Sequence, residues 1–265
     1  MAAKTKLTFE REIRWPRRVR TFGDAVKFID AAGFCMLFPV GKVPLPSLYY
    51  AVTRRNLQEK MVWDKYAQMV WRWKDELPKR KRAVYTKYFR GRGTLISLQL
   101  LPHFLAMREA ALMPGDHERF YAEGRIRQDA RAIWEALAAH GPMATLELRH
   151  ACKMETKAGN KRFKRAILDL QCLLAVVHSG TEQETAAWAS GRYELACRAF
   201  PKQAAAAQKI APAEARAALA AKYLEWYPDA PVMRLARLFG WTKEEASAAL
   251  RPRRFFVKTA SARSL

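Results

Sequence analysis

The chain has 265 residues, half of them hydrophobic, with 28% charged and 11% aromatic residues. That composition is long enough for a real core and excludes a disordered chain. Lys and Arg number 48 against 25 Asp and Glu, a formal charge of +23.

The positive charge is spread evenly. Residues 1–60, 61–124, 125–200 and 201–265 each hold 12 Lys and Arg, against 5, 7, 8 and 5 acids. No stretch is a basic tail on a neutral body, and such a field attracts polyanions, nucleic acid above all. The four cysteines (Cys35, Cys152, Cys172, Cys197) form no Cys-x-x-Cys pair, and the five histidines stand at no zinc spacing from them. Neither a metal site nor a disulfide framework is expected, and no cofactor is implied. No apolar run reaches the roughly 18 residues that span a bilayer, and no secretory signal is expected. Free cysteines and DNA as partner suit the cytoplasm and its nucleoid.

Residues 1–20 read as a basic arm. A helix runs from Thr21, its cap, to Ala32, and Gly33 stops it. Phe34 to Phe38 reads as a short buried strand, and Ser47 caps a helix over Leu48–Arg54. Residues 61–90 suggest two helices divided near Pro78, with Trp63, Trp71 and Trp73 in the core. The run Lys79-Arg80-Lys81-Arg82 either touches phosphate or opens a solvated helix. Thr94–Leu100 has strand composition, and Pro102–Leu112 reads as a helix. Residues 21–124 thus form a helical domain with short strands, conceivable as a divergent winged helix.

From Gly124 the pattern becomes regular. Gln128–His140 is a helix with Ile133, Trp134 and Leu137 inward. Thr145 caps a second helix, Leu146–Cys152. A polar turn with Gly159-Asn160 leads into a basic helix, Lys161–Leu173, with Asn160 its cap or a reader of a base edge. Strands at Leu174–His178 and around Ala187–Ala189 or Tyr193–Cys197 complete a winged helix–turn–helix over 125–200. Residues 201–265 repeat the order: helices over Pro212–Trp226, from Pro231, and from a Thr242/Glu245 capping box to Leu250, with a remnant wing at Arg251–Val257. The fold expected is mainly α with small β-hairpins, organised as tandem winged helix–turn–helix units.

The two third helices differ in charge. The first is fronted by six cations in the thirteen residues Lys153–Arg165, with Glu155 the lone acid; the second opens Lys243-Glu244-Glu245. Carboxylates sit badly against phosphate, so the first unit is expected to dock on DNA. Its candidate contacts are Lys157, Asn160, Lys161, Arg162, Lys164 and Arg165, with Arg192 near the wing and Lys79, Arg80 and Arg82 further off. Arg162 and Arg165 share a face suited to a groove. Such residues chiefly grip phosphate, which positions without specifying sequence.

Three stretches, Ala132–Pro142 with the basic helix after it, Lys222–Leu250, and Gly33–Pro39, resemble the AlkZ/YcaQ-type winged-helix family of bacterial DNA glycosylases. The likeness spans most of residues 21–250 as diffuse pattern. It implies tandem winged helices around a concave DNA-binding surface with a β-barrel beyond; a full barrel is not expected within this chain. It also implies a catalytic Gln-apolar-Gln or Gln-apolar-Asp motif just after the first helix. The matching run here is Met36-Leu37-Phe38, whose side chains cannot serve as a general base or position water. No catalytic residue is therefore assigned. Two functions follow: a noncatalytic DNA-binding protein linked to repair, holding damaged or structured DNA, or a glycosylase with relocated chemistry that excises alkylated or crosslinked bases.

Overall fold

The structure, a computed structural model, describes residues 15, 17–41, 43–54, 63–107, 113–185 and 189–250. Most of the N-terminal arm and the Arg251–Val257 wing lie outside these residues.

Helix α1 (Phe22–Ala32) begins where the sequence says. Thr21 Oγ1 accepts the Asp24 N–H while the Asp24 carboxylate accepts the Thr21 N–H, both at 3.1 Å, satisfying two otherwise orphaned donors. Gly33, at φ 75°, ends the helix. Strand β1 (Phe34–Met36) follows, then α2 (Leu48–Thr53), capped by Ser47 as expected.

The next stretch departs from expectation. Helix α3 (Lys65–Lys79) is one helix with Pro78 in its last turn, where the proline forgoes one i→i−4 bond and only Lys79 follows it. Lys81 takes a left-handed φ of 50°, and the β-branched and aromatic run Val84–Thr86 is strand β2, not a second helix. Strand β3 (Thr94–Ile96) and helix α4 (Leu101–Met107) follow, and then α5 (His117–Ala122).

Helix α6 (Gln128–His140) has the expected limits, with Ile133, Trp134 and Leu137 buried. Two-residue β4 (Met143–Ala144) leads directly into α7 (Thr145–Ala151). Thr145 does not cap α7; its hydroxyl donates to the Gly191 carbonyl at 2.8 Å, tying the helix to the following hairpin. Helix α8 (Lys157–Cys172) starts four residues earlier than expected because Thr156, not Asn160, is its cap, accepting the Gly159 N–H at 3.0 Å. Strands β5 (Val176–Gln183) and β6 (Ala189–Leu195) form the hairpin. Helices α9 (Ala196–Ala199), α10 (Pro201–Ala207), α11 (Pro212–Trp226) and α12 (Val232–Phe239) follow, and residues 243–250 form α13. The Thr242/Glu245 capping box of α13 is present, with bonds of 2.9 and 3.1 Å.

Among the described residues the molecule is thus mainly helical around one antiparallel six-stranded sheet, ordered β1-β3-β2-β5-β6-β4. The order is palindromic: each half places its first, third and second strands in that sequence outward to inward. Each half also runs helix, strand, helix, helix, strand, strand. The halves join at the antiparallel pairing of Tyr85 with His178. The nearest match in element order to the 128–195 segment is therefore the N-terminal segment, rather than the one after residue 201.

The β1 run lies between two apolar layers. Phe34 and Met36 belong to a large core with α4, α6, α8, α11 and α12, whereas Cys35 and Leu37 belong to a smaller one with α1, α2 and α3. This alternation is the two-residue period of a strand covered on both faces. Trp226 Nε1–H donates to the Ala32 carbonyl at 3.2 Å and anchors α11 to α1.

Candidate nucleic-acid interface

On α8 the inward residues are Phe163, Ala166, Ile167 and Leu170. At 100° per residue, Lys157, Lys161, Lys164 and Leu168 share the opposite face, with Arg165 at its margin. Lys157, Lys161, Lys164 and Arg165 are exposed. That face runs into the β2–β3 turn of the other half. Cys172 Sγ–H donates to the Lys87 carbonyl at 3.2 Å, and the Thr86 hydroxyl donates to the Gln171 carbonyl at 2.7 Å. Gly91, at φ 68°, comes so close that a Cβ there would stand 3.3 Å from Leu168 Cδ1. Exposed Arg90 and Arg92 flank that glycine. Two segments about 65 positions apart in the chain thus form one cationic strip.

The other expected contacts divide. Arg162 is turned toward α6 and engages Asp129, its Nε 3.0 Å from Oδ2. This ion pair holds the Asp129 carboxyl below its ordinary value, chiefly through the Arg162 hydrogen bond. Arg162 is therefore committed to Asp129, while Arg165 is exposed. Asn160 is half-buried, and its N–H donates to the Thr156 carbonyl at 2.8 Å inside the helix. Arg80 pairs with Glu76 at 2.8 Å and lies 5.0 Å over the Phe22 ring. Arg82 acts on the Asp30 carboxyl, which burial pushes up.

Lys79 and Arg192 meet in a second place. With Lys81, Arg198, Pro78, His178 and Ser179 they line a cleft of about 190 Å³ between the end of α3 and the β5–β6 hairpin. Arg192 there donates to the Pro142 carbonyl at 3.1 Å, and Arg198 pairs with Glu194 at 2.9 Å.

Behind this cleft lies a polar pair that the sequence did not disclose. Buried His178 Nε2–H donates to Asp75 Oδ1 at 2.8 Å, and Lys74 Nζ donates to the same oxygen. A carboxylate only accepts, so Nε2 carries the proton. Burial pushes the His178 imidazole below its ordinary value. Burial alone would raise Asp75, but the hydrogen bonds from His178 and Lys74 outweigh it and hold the carboxyl below the usual range. Besides adjacent Lys74, the partner of Asp75 is His178, 103 residues away, which the sequence does not bring near it.

Two tryptophans expected in the core are outside it. Trp73 is buried, but Trp63 is 55% and Trp71 46% exposed. They gather with half-buried Phe38: Trp63 and Trp71 centroids lie 5.8 Å apart, and each is 6.4 Å from Phe38.

Among the described residues no group of His, Cys, Asp and Glu could hold a metal ion, and no helix is long and apolar enough to cross a membrane.

Fold and surface together define a mainly helical, strongly basic protein built on a palindromic antiparallel sheet, with cations gathered where its halves meet. A family model described as AlkZ related matches residues 19–240, most of the chain. The protein belongs to that AlkZ-related family. No curated protein and no solved structure gave a match beside it.

Proposed function

We propose that this is a DNA-binding protein of tandem winged-helix architecture, linked to DNA repair, that holds damaged or structured DNA without excising a base. The winged units would be residues 19–96 and 128–195, each with the order helix, strand, helix, helix and hairpin. Helices α11 to α13 would brace them.

The observation that carries the reading is the strip of Lys157, Lys161, Lys164 and Arg165 on α8, extended by Arg90 and Arg92. A third helix with a cationic, outward face is the part such a unit lays on duplex. It would grip mostly phosphate, and binding would weaken steeply with salt.

The noncatalytic half of the reading rests on β1. Of the two motif positions, Met36 is 0% exposed in an apolar core, and half-buried Phe38 packs against Trp63 and Trp71. Neither side chain can take a proton or position water, so these positions serve packing.

The test is duplex binding across a salt series. Replacing Lys161, Lys164 and Arg165 together by Ala should lower the log–log salt slope by nearly three, at about 0.9 for each phosphate no longer neutralised. An unchanged affinity and slope would remove α8 from the interface.

One observation favours a second reading, a glycosylase with relocated chemistry. Asp75 and His178 are a carboxylate and an imidazole joined by a hydrogen bond beside a cationic cleft, the groups that proton transfer requires. Incubation with alkylated duplex separates the two readings. Abasic sites that vanish in Asp75→Asn would establish the second; bound but intact DNA establishes the first.

A further inference from the structure

A continuous run of contacts follows α3 from exposed Trp71 to the cleft, passing through buried Lys74 and partly buried Asp75. Trp63 and Phe38 meet Trp71. The Lys74 ammonium sits 4.5 Å over the Trp71 ring and bonds Asp75. Asp75 holds His178, and His178 lines the cationic cleft with Lys79, Lys81 and Arg192. Lys74 and Asp75 lie three and four residues after Trp71, and Pro78 lies four and three after them, so all share one face. The aromatic end and the cationic end are eight residues apart, about 12 Å along the axis.

Two indole rings at about half exposure are costly unless something covers them. The cleft at the other end carries Lys79, Lys81, Arg192 and Arg198 against one lining acid, Glu194, and lies on the same face. Charge therefore selects a polyanion, and the rings select one that carries flat aromatic groups.

We propose that this face of α3 binds single-stranded nucleic acid, an unpaired base stacking on Trp71 and Trp63 while neighbouring phosphates lie in the Lys79–Lys81–Arg192 cleft. Stacking on aromatics beside a basic groove tolerates any base sequence, because every base has a π-face. The site is separate from the α8 strip and stands whether or not α8 grips duplex. It would give the protein a place for bases that have left the helix.

Titration of the intact chain with a short oligothymidylate, followed by tryptophan fluorescence, tests it. The strand cannot pair with itself, so binding reports unpaired nucleotides. Quenching is expected, with Trp71→Ala and Trp63→Ala each weakening affinity about tenfold at unchanged salt slope. Trp71→Phe should retain most of the affinity. Lys79→Ala with Arg192→Ala should weaken binding and lower the salt slope by roughly 1.4, at about 0.7 per phosphate on single strands. The α8 triple variant should leave oligothymidylate binding intact, which keeps this result distinct from the duplex test. Three outcomes overturn the proposal: parental affinity and quenching in both tryptophan variants; loss of single-strand binding in the α8 variant alone; or a dimer-to-monomer shift on sedimentation of Trp71→Ala with binding unchanged, which would make the rings a protein contact.

Discussion

At the scale of single residues, His178, bonded to Asp75, contributes to how the protein responds to mild acid. Folded His178 is held below its ordinary value by burial, so the unfolded chain takes the proton first. Its stabilisation is complete above the unfolded value of about 6.5 and is lost as pH falls from there toward the folded value. The groups around it are Lys74, Asp75, Tyr85, Lys87 and Tyr193. His103, also lowered by burial, adds a slope of the same sign. His178→Gln keeps an N–H for Asp75 but does not titrate. Its melting temperature should fall less between pH 7.5 and 5.5 than that of the parent; equal falls would show that His178 contributes nothing to acid sensitivity. None of this could be read locally. Asp75 and Glu76 are unremarkable neighbours in sequence, and the imidazole that gives Asp75 a role arrives from another strand. The outward tryptophans were equally hidden, because helical spacing assigns large aromatics to a core and cannot say which side is left uncovered.

At the scale of elements, capping chemistry decided what was legible. Thr21, Ser47, and Thr242 with Glu245 each stood ahead of an apolar run, and all three hold. Ahead of α8 two caps compete. Thr156 wins over Asn160, and Gly159-Asn160, which has the look of a turn, lies within the first helical turn. Gly159 is there for closeness rather than flexibility. A Cβ at that position would lie 2.8 Å from the backbone of Met154. Alanine is the better helix former by about 1 kcal/mol, yet here backbone would have to move. Gly159→Ala should therefore lower the melting temperature and weaken duplex binding by displacing the cationic turn of α8. A stabilised variant would mean that the α7–α8 turn yields easily.

At the scale of the molecule, the strand-rich halves were only partly visible. The 128–195 order was legible because each element abuts the next. Its N-terminal counterpart was obscured by β2, three residues that follow a basic run and read as helix from their neighbours. The palindromic sheet was out of reach, since the β2–β5 pairing is set by contacts between distant segments. That seam has a kinetic consequence. Within each half one pairing is a hairpin and the other joins Phe34 to Ile96 or Met143 to Tyr193, 62 and 50 positions apart, whereas Asp75 and His178 are separated by 103. Closing the longer loop costs more entropy, so the halves should form first and dock afterwards. A change confined to the seam, such as Tyr85→Phe with His178→Gln, should speed unfolding in a stopped-flow experiment and leave the main refolding rate nearly unchanged. Slower refolding would place docking in the nucleus. On the expected result the protein assembles as two preformed plates meeting along a hinge line, and whatever ligand spans that line would act as its clasp.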